Sequence, residues 1–96
     1  MVITMLEAHV AEDQADVLVG QFRAAGASLP SFIIESSLLH DADSDVWRVV
    51  TVWASQNALD GYRASVETPE GVRMFRSVGA EPSLTVFDVA SRIDHS

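Results

Sequence analysis

The stretch VWRVVTVW at residues 46–53 is apolar on both sides, and this constrains the fold more than any other feature of the chain. Successive side chains of a strand point to opposite faces. Trp47, Val49, Thr51 and Trp53 therefore form one face, and Val46, Val50 and Val52 most of the other. A strand in a sheet with one wet face would carry a polar residue at every second position; here only Arg48 interrupts the second face. SLTVFDVAS (83–91) repeats the pattern, with Leu84, Val86 and Ala90 opposite Phe87 and Val89. SFIIESSLLH (31–40) sets Phe32, Ile34 and Leu38 opposite Ile33 and Leu39. The chain must therefore build a sheet that is buried twice.

The remaining segments supply one layer of cover. VITMLEAHV (2–10) is a further strand whose alternate sets are Val2, Thr4, Leu6, Ala8, Val10 and Ile3, Met5, Glu7, His9. EDQADVLVGQFRAAG (12–26) spaces Ala15, Leu18, Val19, Phe22 and Ala25 as a helix with acids at its start and Gly26 at its end. DADSD (41–45) reads as the turn of a hairpin, because Asp and Ser satisfy their own backbone. A second helical region is expected from an Asn57 cap, with Leu59, Tyr62 and Val66 on one face. It restarts at Thr68, Pro69 and Glu70, where Thr68 caps and Pro69 suits the first helical position, and continues through Val72, Phe75 and Val78 to Gly79. RIDHS is a polar tail containing His95. The order is β-α-β-β-α-β, an α+β, ferredoxin-like fold on a four-stranded antiparallel sheet, in a single domain spanning 1–96. The helices form one layer and can cover only one sheet face, so the other is expected to pack on a second copy as a homodimer.

Composition narrows the function. Of 96 residues, 48% are hydrophobic, more than a small lone monomer needs, which agrees with an intersubunit surface. There is no cysteine, hence no disulfide, thiolate metal site or cysteine nucleophile. Fourteen acids against six bases give a net charge of −8, which argues against nucleic acid or an anionic membrane as partner. No secretory signal or membrane span is apparent, so the expected compartment is the cytoplasm.

VVTVWASQNALDGYRAS (49–65) resembles the strand-three and helix-two signature of the antibiotic biosynthesis monooxygenase family, the dimeric α+β barrel group: a strand ending in Trp, a short Ser-containing turn, and an "AL" helix carrying an aromatic or His. The resemblance implies a dimer whose subunits each hold a ligand cavity between sheet and helices. It implies a cofactor-independent monooxygenase acting on an aromatic, phenolic or quinol-like substrate, with no cofactor and no metal. Thr51 stands where many relatives have Glu, and Tyr62 where many have His. The haem-degrading branch needs a later helix His, absent from residues 63–82, and an Asn on strand one, where this chain reads MLEAHV.

Trp53 and Thr51 are candidate substrate-binding residues and Tyr62 a candidate catalytic one; Trp53 also reads as a core anchor between strand and helix, and Tyr62 as a core contact of its helix. His9 and Glu7 share a face of the first strand, so Glu7 could orient His9 as a general base, or the two could form a polar pair at a rim or interface. If its face meets the partner subunit, Arg48 is expected to pair with an acid such as Glu35 or Asp88, the alternative being contact with an anionic ligand; His40 is expected to be a solvated turn residue. The other reading of the whole is a non-catalytic dimeric ligand-binding or assembly domain.

Overall fold

Period-2 and period-3.6 apolar patterns alternate along the chain, and the computed structural model, which describes residues 1–94, realises them in the expected order. The strands are β1 (Val2–His9), β2 (Ile33–His40), β3 (Val46–Trp53) and β4 (Ser83–Asp88), and the helices α1 (Ala15–Gly26), α2 (Gln56–Ser65) and α3 (Glu70–Ser77), with one 3-10 turn at Glu12–Gln14. The sheet runs β2-β3-β1-β4, every neighbouring pair antiparallel. No helix among the described residues is long and apolar enough to cross a membrane. His95 lies outside the described residues.

The helix-side face of the sheet is set by β1 and β3. Val2, Thr4, Leu6 and Ala8 of β1 and Trp47, Val49, Thr51 and Trp53 of β3 are buried there. The core under the helices has two parts. The larger gathers Leu6, Leu18, Trp47, Val49, Met74 and Phe75, with Leu18 and Phe75 fully buried; the smaller joins Val2, Trp53 and Leu59, with Phe32, Ile33 and Tyr62 against them. On the opposite face Ile3, Met5, Val46, Val50 and Val52 are only half-buried, and Leu39 and Phe87 are exposed. No element of the described chain covers that face.

Several local expectations are corrected. In β2 the pairing jumps from Ile33↔Trp53 to Glu35↔Val52, a bulge that leaves Ile34 without a partner. The extra residue puts Ile33 and Leu38 on one face, where uninterrupted alternation would have opposed them. α2 is capped by Ser55, whose Oγ accepts the Ala58 N–H at 3.0 Å, and not by Asn57. Thr68 makes no cap bond; the Glu70 N–H at the start of α3 goes to the Tyr62 hydroxyl at 2.9 Å. β4 ends at Asp88, short of residue 91, and lies at a sheet edge with Leu84 and Val86 exposed on the helix side.

Arg48 pairs with its cross-strand neighbour Glu7 at 3.1 Å, not with Glu35 or Asp88, because register brings Glu7 directly opposite. His9 bonds Asp45 at 2.7 Å, and that hydrogen bond holds the Asp45 carboxyl below its ordinary range. His40 is exposed but ordered: its ring stacks on Trp47 at 4.2 Å and its Nε2 meets the Ser44 carbonyl at 2.9 Å.

α3 ends in a turn that needs a glycine. Gly79 has φ of +78°, its N–H reaches the Arg76 carbonyl at 3.0 Å, and the Ala80 N–H reaches that of Phe75 at 3.0 Å. This is the double bond pattern of a Schellman stop. Gly79→Ala is expected to destabilise the protein by about 1–2 kcal/mol through left-handed strain alone, measured by urea denaturation.

Candidate active site

Between the two parts of the core the side chains do not meet, and a half-open cavity of about 740 Å³ remains. Its floor is the sheet: Thr4 and Leu6 from β1, Val49, Thr51 and Trp53 from β3, Ile33 and Ser36 from β2. Its walls are α1 through Phe22 and Ala25, α2 through Leu59 and Tyr62, and α3 through Val72 and Met74. α3 approaches the floor closely because Gly71 has no side chain; a Cβ there would stand 2.6 Å from the Leu6 Cδ1.

Trp53 is 5% exposed and fixed on three sides. Its Nε1 donates to the Thr4 Oγ1 at 2.9 Å. Its ring stacks with Phe32 at 6.0 Å and meets Tyr62 at 5.3 Å with a 45° tilt. Trp53 belongs to the core and also borders the cavity: one edge anchors the sheet while the side chain lines the open space. Tyr62 is likewise divided, its ring at the cavity and its oxygen capping α3.

The floor carries a row of hydroxyls. Thr4 and Thr51 are register partners, as are Ser36 and Thr51, so the three residues lie side by side across β1, β3 and β2. Ser36 Oγ and Thr51 Oγ1 are 2.9 Å apart. At the rim, the charged lining residues are Arg63, Glu70 and Arg73, with Arg73 and Glu70 paired at 3.0 Å. Two cations against one anion reverse the balance of the chain as a whole.

Of the sequence candidates, Trp53, Tyr62 and Thr51 come together at the cavity; Glu7 and His9 do not. Both belong to the half of β1 that faces away from the helices, Glu7 against Arg48 and His9 against Asp45 with its side chain 75% exposed. The expected Glu7–His9 pair is replaced by these two cross-strand contacts. Thr4, Ser36 and Arg63 were not singled out from the sequence. Thr4 had a signal, as the polar member of the set Val2, Thr4, Leu6, Ala8, Val10, but its meeting with Thr51 depends on strand register. Among the described residues no group of three His, Asp or Glu side chains could hold a metal ion. Glu81, held below its ordinary range by a bidentate bond from Arg76, lies outside the cavity.

No protein-family model and no curated protein matches the sequence. Solved structures do match. A candidate antibiotic biosynthesis monooxygenase from Deinococcus radiodurans is similar with a TM-score of 0.73 and 12% identity, over 100% of this chain and 99% of that one. SnoaB, a cofactor-independent oxygenase from Streptomyces nogalater, is similar at 0.68 and 16%, over 98% and 97%. A variant of MhuD with two manganese protoporphyrin IX bound per active site is similar at 0.69 and 18%, over 99% and 100%. The chain has the antibiotic biosynthesis monooxygenase fold. Within that fold, Trp53 and Tyr62, which carry the resemblance in sequence, are the two aromatics that this chain sets against each other beside the cavity.

The Trp53–Thr4 bond is buried, so losing its acceptor leaves an indole N–H without a partner. Thr4→Val is expected to lower stability by about 1–3 kcal/mol, read in thermal or urea melts, with Thr4→Ser restoring most of it.

Proposed function

We propose that this protein is a cofactor-independent monooxygenase that oxygenates an aromatic, phenolic or quinol-like substrate in the cavity beside Trp53 and Tyr62, working as a homodimer. The observation that carries this reading is the cavity itself: about 740 Å³ of mainly apolar space with hydroxyls on its floor. Interiors of small domains are normally filled, and this volume lies within the usual range for small-molecule sites, roughly 300–1,000 Å³. Sharing its fold with SnoaB, named a cofactor-independent oxygenase, supports the choice of chemistry.

In this scheme a phenol carrying a ring hydrogen takes up dioxygen and leaves as the quinone, with one water released. The ionised ring supplies the electrons to dioxygen. Trp53 and Phe22 offer apolar surface to the ring, and the row of Thr4, Thr51 and Ser36 orients its oxygen. The apolar walls keep water from intercepting the reactive species. The lining does not fit a haem of the kind suggested by the porphyrin complex of MhuD. Among the described residues no imidazole lines the cavity, and His9 and His40 sit outside it. One observation favours the second reading, a binding or assembly domain without chemistry: no imidazole and no unpaired carboxylate faces the cavity among the described residues.

Oxygen uptake with naphthols and hydroquinones, chelator present, tests the reaction. Turnover that resists chelation and falls at least tenfold in folded Trp53→Phe, with a smaller loss in Tyr62→Phe, is the expected result. A folded protein that binds these compounds but consumes no oxygen across the panel would favour the second reading.

The homodimer rests on the uncovered sheet face, where Val50 and Val52 lie beside Met5 and Ile3. Burying such a surface between two copies is the simplest way to remove it from water. Sedimentation should give a dimer for the native protein and a folded monomer, or a much weaker dimer, for Val50→Glu. An unchanged dimer would place the interface elsewhere.

A further inference from the structure

The main cavity does not end cleanly where α2 gives way to α3. A side chamber of about 320 Å³ adjoins it, lined by Tyr62, Val66, Glu67, Thr68, Glu70 and Arg73. Tyr62, Val66, Glu70 and Arg73 also line the main cavity, so the two spaces share one partition. The chamber has a backbone cause. Val66 follows α2 with φ −126° and ψ 145°, and Pro69 precedes α3 with φ −56° and ψ 145°. Both are extended conformations, so the 66–69 connection does not fold back onto either helix and leaves a hollow beside it.

The two spaces differ in chemistry. The main cavity is mostly apolar above its row of hydroxyls, whereas the side chamber carries two carboxylates and a guanidinium. Several of these polar groups are unspent. Among the described residues the Glu67 carboxylate meets no donor and the Thr68 hydroxyl has no partner. Arg73 gives only one of its several N–H donors to Glu70, at 3.0 Å. The partition is also lightly held. The Arg73 and Glu70 side chains are 71% and 53% exposed, and exposed ion pairs bind their members weakly. Tyr62 holds the Glu70 backbone N–H and not its carboxylate, so the two charged side chains can part while α3 stays in place.

We infer that the side chamber binds a neutral polyhydroxylated arm, sugar-like in chemistry, on a ligand whose aromatic body lies beside Trp53. This rests on the reading of the main cavity as an aromatic site and adds the second half of its ligand. A hydroxyl both donates and accepts, so it satisfies carboxylate and guanidinium alike. An apolar arm would strip water from these groups and return nothing. An anionic arm would face Glu67 and Glu70 with Arg73 alone to meet it, and a cationic arm would set like charge against Arg73.

Calorimetric titration with three naphthalene ethers tests this. 1-Naphthyl glucoside carries such an arm, 1-methoxynaphthalene lacks it, and 1-naphthyl glucuronide adds a carboxylate to the sugar. The glucoside should bind the native protein about tenfold tighter than 1-methoxynaphthalene, the gain of one or two net hydrogen bonds. The glucuronide should bind about tenfold more weakly than the glucoside, because like charges meet. Glu67→Ala combined with Thr68→Val should cancel the glucoside's gain and leave 1-methoxynaphthalene binding unchanged. Equal binding of glucoside and 1-methoxynaphthalene overturns the inference and leaves the aromatic-site reading intact. A gain that the double variant does not alter also overturns it, by placing the arm elsewhere, and so does a glucuronide that binds as well as the glucoside. Failure of all three compounds to bind overturns the aromatic-site reading and this inference with it.

Discussion

Trp53 ties the molecule together. Its indole nitrogen reaches across to Thr4 on the neighbouring strand, one face meets Phe32 at the entry to β2, and the ring tilts against Tyr62 of α2. Tyr62 in turn satisfies the first backbone N–H of α3. A single residue at the end of β3 thus links three strands and, through one tyrosine, two helices. Large aromatics suit this because they combine wide apolar area with one polar handle. The cavity exists because these contacts hold the helices at a fixed height over the sheet without filling the space between the two parts of the core.

The two faces of the sheet do different work. The helix side combines apolar residues with a narrow row of hydroxyls. The other side holds valines, Ile3, Met5 and Phe87 around the Glu7–Arg48 pair. That ion pair is only partly exposed and, among the described residues, is the one charged pair amid the apolar residues of this face. His9 and Asp45 sit at the end of this same side, which is why the titratable residues most noticeable in the sequence are not those around the cavity.

The architecture was legible because periodicity and punctuation agree over most of the chain, with Pro30, the 41–45 turn, Pro69 and Gly79 falling between elements and Gly26 closing α1 as its last residue. Which face would receive the helices was not legible, since β3 is apolar on both. His9 and Glu7 read as a candidate site for that reason: the alternation puts them on one face but does not say which way that face points. Register was equally hidden. The row Thr4, Thr51, Ser36 forms only when β1, β3 and β2 align in one way, and the bulge after Ile33 shifts β2 by a residue in doing so. The cap from Tyr62 to Glu70 spans the 66–69 connection between two helices, beyond the reach of local capping rules.

The strand order carries a consequence for how the chain reaches this state. β1 lies inside the sheet, yet its neighbours are β3 at Val46–Trp53 and β4 at Ser83–Asp88. The β2–β3 hairpin and α1 can form from nearby residues as they emerge during synthesis, whereas β1 must wait for distant ones, and long loops close slowly. Until β4 arrives, one edge of β1 offers open backbone to any other strand, the circumstance in which growing chains mispair. Of the four strands, the one made earliest is the last to gain both its neighbours.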